Sequence, residues 1–181
     1  MTGCPQEIKE QLGLVQVYTG NGKGKTTTAL GLALRATGRG LNVIMIQFLK
    51  PDGDYGEQVA GRRMQGFTIL PMGADHLSGR VDPETEKRLT AEAMAKSEEV
   101  LVSGGYDLVI LDEVNNSMRF GLVKADELIA MLERRAPNTE VVLTGRGAPD
   151  EIIEYADLVT EMRLVKHPFD RGVPARKGIE F

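Results

Sequence analysis

Residues 14–28 read Leu-Val-Gln-Val-Tyr-Thr-Gly-Asn-Gly-Lys-Gly-Lys-Thr-Thr-Thr. A short apolar run enters a glycine-rich loop ending Gly24-Lys25-Thr26, and a helix-forming run follows. That order suits a polyphosphate. Glycines let backbone N–H groups converge on an anion, the helix start adds partial positive charge, and Lys25 adds a full one. The Thr26 hydroxyl can hold Mg²⁺ beside the phosphates. The chemistry implied is binding of a nucleoside triphosphate. The usual spacing of such a loop has glycine where this chain has Thr19; its glycines fall at 20, 22 and 24.

A second set of reactive side chains closes an apolar run, Leu108-Val-Ile-Leu-Asp-Glu113. Two carboxylates at a strand end can hold Mg²⁺ directly or through water, or can cap a neighbouring helix. The residues leave open whether Glu113 acts as a base, a metal ligand or both in turn. Arg146, after another apolar run, either neutralises phosphate charge or pairs with a carboxylate. The segment 163–181 carries Arg163, Lys166, His167, Arg171, Arg176 and Lys177 among apolar Val165, Phe169, Val173 and Ile179. Such a segment is either a solvated end or a wall that packs down over an anionic ligand. His76 and His167 are the two histidines, too far apart in sequence for a helical zinc pair. His167, inside the basic segment, is the better ligand contact; His76 reads as a surface residue in a loop with Gly73 and Gly79.

The elements that must position these groups alternate. Strands are predicted at 14–18, 42–48, 67–70, 108–111, 140–143 and 158–164. Helices are predicted at 25–37, from Asp82-Pro83 to Gly104-Gly105, at 124–135 and at 149–155. Ala and Leu on nearly all sides of 25–37 predict a well-buried helix. Residues 50–57 read as a polar loop. Apolar strands alternating with helices indicate an α/β, P-loop NTPase-like fold: a mostly parallel central sheet with helices on both faces. Ligands of such sheets sit beyond the carboxyl ends of the strands, where the glycine loop, Gln47, Asp112-Glu113 and Thr144-Gly145-Arg146 fall. The expected organisation is a flexible segment 1–13 and one ATP-binding domain over 14–181, with the basic tail 163–181 closing the site.

Composition narrows the setting. Of 181 residues, 41% are apolar, enough for a real core. The 22 basic and 26 acidic residues give a net charge of −4, which argues against bulk nucleic-acid binding. One cysteine, Cys4, allows neither an internal disulfide nor a cysteine zinc cluster, and suits a reducing compartment. No apolar run approaches the roughly 18 residues of a membrane span, and the start does not read as a signal peptide. A cytoplasmic protein without membrane or nucleic-acid partners is expected.

Several stretches together resemble the ATP:corrinoid adenosyltransferases of the CobA type. They are Val17-Tyr-Thr-Gly-Asn-Gly-Lys-Gly-Lys-Thr-Thr27, Gln47-Phe-Leu-Lys50, Gly56-Glu57, Leu111-Asp-Glu113, Thr144-Gly-Arg146, Ala156-Asp-Leu-Val-Thr-Glu-Met162 and the whole run from Val165 to Phe181. The resemblance spans roughly residues 14–181, and the tail Lys166-His-Pro-Phe-Asp-Arg-Gly-Val173 is its most specific part. It implies that a reduced Co(I) corrinoid attacks C5′ of ATP, that triphosphate leaves, and that a cobalt–carbon bond forms. It implies Asn21, Gly22, Lys23, Gly24, Lys25, Thr26 and Thr27 on the phosphates, and Thr26 with Glu113 on Mg²⁺. Lys25 and Glu113 would be the catalytic groups, with Arg146, Lys166 and His167 as further ATP contacts. It implies a homodimer, a reductase that delivers Co(I), and an N-terminal segment that covers the corrinoid.

This chain departs from the family in one respect. The family carries a Phe and Trp pair, pressed on the lower corrinoid face, at about the positions of Ala74 and His76. Here the stretch reads Met72-Gly-Ala-Asp-His-Leu77, and the chain has no Trp. Ala74, His76 and Leu77 are therefore the candidate corrinoid contacts. A P-loop ATPase or ATP-binding regulatory module that has lost corrinoid binding is the alternative, and the missing aromatics favour it while the intact tail speaks against it. A small-molecule kinase would need an acceptor pocket and an Arg-rich lid, and no lid insertion is visible.

Overall fold

A computed structural model describes residues 6–74 and 81–181. The chain runs α1 (Gln6–Lys9), β1 (Val15–Thr19), α2 (Lys25–Thr37), β2 (Val43–Gln47), α3 (Gly56–Gly61), β3 (Phe67–Pro71), α4 (Pro83–Ser103) and β4 (Leu108–Asp112). It continues α5 (Val114–Arg119), α6 (Ala125–Glu133), β5 (Glu140–Thr144), α7 (Asp150–Tyr155), β6 (Leu158–Glu161) and a 3₁₀ turn at Pro168–Arg171. The six strands form one sheet in the order β3-β2-β4-β5-β1-β6, every pair parallel.

The strand sequences explain this arrangement. Val-Ile-Met-Ile-Gln in β2 and Leu-Val-Ile-Leu-Asp in β4 are buried at every position, so both faces must be covered. On one face, Ile44, Ile46, Val109, Leu111 and Leu143 pack with Leu101 of α4, Leu128 and Leu132 of α6 and Ile152 of α7. On the other, Met45, Ile110 and Val142 pack with Ala29 and Ala33 of α2. The start of α4 follows from its residues: Asp82 accepts from the Thr85 N–H at 3.0 Å, with Pro83 at the first helical position.

Four features differ from the sequence reading. Helix α2 buries only Lys25, Ala29 and Ala33 and leaves Leu34 64% exposed, because small residues let one face lie flat on the sheet. Residues 56–61, whose first two positions fall within the loop expected over 50–57, form helix α3, with Gln58 buried. Helix α5 starts immediately after β4, with Glu113 in a left-handed conformation (φ 66°) as its first flanking residue. Strand β6 stops at Glu161, and Met162 turns the chain across the glycine loop.

Candidate active site

The glycine loop leaves β1 at the carboxyl rim. Thr19 stands where glycine is usual because it is still in the strand: its Oγ1 accepts the Ala148 N–H at 3.2 Å and ties down the loop after β5. Gly20 (φ 91°) and Gly24 (φ 128°) supply the left-handed conformations. Gly22 has no room for a side chain: a Cβ there would sit 2.7 Å from the Met162 carbonyl, which accepts the Gly22 N–H at 2.6 Å. Helix α2 starts with no side-chain cap, which suits its first turn to an anion. Lys25 is buried, and its Nζ donates to the carbonyls of Gly20 at 2.9 Å and Gly22 at 2.8 Å. A third N–H is left for a ligand. Burial pulls the Lys25 pKa below its ordinary value, with Arg146 adding to the effect and Glu113 and Asp112 opposing it.

The two carboxylates at the end of β4 are used differently. Asp112 is fully buried and accepts from four donors: Thr26 Oγ1 at 2.9 Å, Thr144 Oγ1 at 2.7 Å, and Gln47 and Lys50, each at 3.3 Å. Its lone pairs are thereby spoken for. The Thr26 hydroxyl proton points to Asp112, so the oxygen's lone pairs are free for a cation. Glu113 lines the cleft, and its buried Oε2 has no hydrogen-bond partner among the described residues. Burial and the neighbouring Asp112 charge raise its pKa, while Lys50, Lys25 and Arg146 oppose the rise. Glu113, with its orphaned carboxylate oxygen, and Thr26, with free hydroxyl lone pairs, line the same cleft, and this pair of oxygen donors fits a hard cation such as Mg²⁺.

Lys50 anchors the rest of the rim. Its Nζ bridges Glu57 at 3.0 Å and Asp112 at 3.3 Å and stands 6.0 Å from the Tyr55 ring centroid. Burial works against its charge, but Asp112 and Glu57 outweigh burial and hold its pKa above the ordinary range. Gln58 of α3 extends the network, donating to Gln47 Oε1 at 2.8 Å.

These groups open onto a cleft of about 610 Å³. Asn21 to Thr27 form one wall, with Glu113, Arg146 and Lys50 at the base. The tail adds His167 and residues 178–181 to the lining. Arg146 makes no ion pair among the described residues; its backbone N–H is held by Asn116 Oδ1 at 2.6 Å, and its side chain faces the cleft. His167 caps the 3₁₀ turn: its Nδ1 accepts the Phe169 N–H at 3.2 Å, leaving Nε2 as its remaining polar atom. Lys166 is exposed and does not line the cleft. Ala74 follows β3 and does not line it either; His76 and Leu77 lie outside the described residues.

A family model described as ATP:corrinoid adenosyltransferase BtuR/CobO/CobP matches residues 11–181. The chain belongs to the ATP:corrinoid adenosyltransferase family. It is 36% identical over 176 residues to the corrinoid adenosyltransferase of Pseudomonas aeruginosa, covering 97% of this chain and 87% of that one. Identity to the corrinoid adenosyltransferase of Escherichia coli strain K12 is 34% over 175 residues, covering 97% and 89%. Identity to corrinoid adenosyltransferase CobA of Salmonella typhimurium is 36% over 181 residues, with the same coverage. Lys50 and Glu57 were missing from the expected site, and residues 178–181 entered it only as part of the closing tail. The signal for them was present: Lys50, Glu57 and the tail all sit in the family-like stretches, but only the third dimension brings them to one cleft.

Proposed function

We propose that this ATP:corrinoid adenosyltransferase moves the 5′-deoxyadenosyl group of ATP onto the Co(I) centre of a corrinoid and releases triphosphate. The observation that carries the reading is one cleft lined by both the glycine loop and the family's tail segment. Bond breaking at C5′ pushes charge onto the departing triphosphate. Backbone N–H groups of residues 21–27, the spare N–H of Lys25 and the Arg146 guanidinium are the groups that stabilise it. Mg²⁺, when bound, supplies further positive charge to the phosphate oxygens. Thr26 and Glu113 are the residues that would hold it, and Asp112 serves by keeping the Thr26 hydroxyl turned. The nucleophile is the substrate's own metal, so the chain need only bind, orient and exclude water. His167, held by its cap, offers Nε2 to the nucleotide. In this reading Lys166 adds positive charge near the nucleotide, and Ala74, His76 and Leu77 are the proposed corrinoid contacts.

The same reading gives the chain ATP and a reduced corrinoid as substrates, a reductase as electron source, a second copy as partner, and the cytoplasm as its place. No helix among the described residues is long and apolar enough to cross a membrane. The test is anaerobic: protein, Mg-ATP and chemically reduced cob(I)alamin are mixed, and the visible spectrum and phosphate products are followed. A photolabile alkylcobalamin with triphosphate is expected. ADP with orthophosphate, or bound ATP without any reaction, would overturn the proposal.

A further inference from the structure

The tail wall is fastened unlike the rest of the molecule. No residue from 163 to 181 is buried, and Val165, Phe169 and Ile179 are 84%, 72% and 61% exposed. The apolar residues that the sequence offered as packing groups therefore do not anchor it. Beyond Arg163, its side-chain hydrogen bonds and ion pairs to the body fall at two places among the described residues. At the glycine loop, Lys23 Nζ donates to the Ile179 carbonyl at 3.0 Å and to the Glu180 carboxylate at 3.3 Å. At the loop after β2, Lys177 pairs with Asp54. Between them Arg176 grips Glu180 with its backbone N–H at 2.7 Å and with Nε and Nη2, each at 3.1 Å.

We propose that Glu180 is a positioning residue for nucleotide binding: by pairing with Lys23 it fastens residues 176–181 to the phosphate loop and fixes the wall that faces the bound triphosphate. The inference rests on the reading of this cleft as the ATP site. Lys23 has three N–H donors, and the tail uses two, so one remains for a phosphate oxygen. One ammonium thus serves tail and ligand together, and closure of the tail and anion binding support each other. Glu180 does not displace the phosphate, because its charge is already matched. The Arg176 hydrogen bonds, with a smaller share from Lys23, hold its carboxyl down to about 2.

The experiment is a double-mutant cycle on the full chain: wild type, Lys23→Met, Glu180→Gln and both together. Two quantities are read: the ATP dissociation constant at low salt, and hydrogen exchange of the ligand-free protein. The Gly178 and Ile179 amides, which donate to the carbonyls of Phe181 and Arg176, report the tail. Either single change is expected to speed their exchange and leave the β1–β5 ladder protected. Glu180→Gln should weaken ATP binding about three- to fivefold, the scale of a half-exposed ion pair, and Lys23→Met, which also loses the phosphate N–H, should weaken it more. The double variant should be no weaker than the weaker single. Additive losses would overturn the inference, making Lys23 a phosphate contact independent of the tail. Unchanged tail exchange in Glu180→Gln, or tighter ATP binding by it, would overturn it too. A wild-type protein that binds no ATP would overturn the reading of the cleft itself, and the inference with it.

Discussion

Glu113 concentrates the cost of the site in one residue. Its backbone is the sole non-glycine position with positive φ among the described residues, and one of its carboxylate oxygens is buried without a partner. Both are strains that a fold tolerates where a ligand relieves them. Its raised pKa fixes a sign: the folded state favours the protonated acid, so that contribution to stability is lost as pH rises through the folded value. Glu113→Gln should therefore melt higher than wild type at neutral pH, by about 2–4 °C for each kcal/mol recovered, in ligand-free calorimetry. The same variant should lose the Mg²⁺-dependent part of ATP affinity. Wild-type Mg-ATP affinity should decline on acidification at a pH above the ordinary carboxylate range, and the Gln variant should not follow it. Lys25→Ala should fold normally yet lose turnover, judged by circular dichroism beside the anaerobic assay. His167 separates two roles. Asn can keep the cap but has nothing at the Nε2 position, so His167→Asn should hold the 3₁₀ turn and weaken ATP binding about tenfold, the loss of one hydrogen bond to a charged group. Most of these residues were legible because their chemistry is local: glycines before Lys25-Thr26, and acids after an apolar run. The partition of labour between Asp112 and Glu113 was not, because it depends on Thr144, Gln47 and Lys50 arriving from other strands.

At the scale of elements, the loop after β2 and helix α3 form a buttress rather than a connector. Lys50, three residues past the end of β2, holds Glu57 of α3 and Asp112 of β4, whose side chains are 10% and 0% exposed. Lys50→Met would leave two neighbouring carboxylates without their cation. A loss of about 3 kcal/mol is expected in urea unfolding, within the range for breaking a buried pair. The strands and the long helix α4 were readable from apolar runs and from the Asp82-Pro83 start. Helix α3 was not, because it is only six residues long, begins inside the polar run 50–57 and has a glycine at each end. One of those glycines has a packing reason: a Cβ at Gly61 would meet the Ile69 side chain at 2.7 Å. Helix α5 was hidden because it has no N-terminal cap residue of the usual kind; the left-handed Glu113 turns the chain directly from strand into helix.

For the whole molecule, the sheet and the tail respond to different forces. The sheet rests on buried aliphatic side chains, the tail on exposed ion pairs such as Lys177–Asp54, whose side chains are 71% and 74% exposed. Raising NaCl from about 0.05 M to about 0.5 M shortens the screening length severalfold. Protease cleavage within residues 163–181 should then speed up while the melting temperature stays put. The fold class was legible from alternation alone; the path of the tail was not, since it follows single polar contacts rather than a pattern. Strand order carries a last consequence, for the chain as it leaves the ribosome. Strand β1 pairs only with β5 on one side and β6 on the other. The first strand made must wait, unpaired, until residues 140–144 have been synthesised, and its other edge stays open until 158–161 follow. A nascent chain halted before residue 140 would hold a complete phosphate loop on a strand with no neighbours, an exposed edge for chaperones to cover and for stray chains to join.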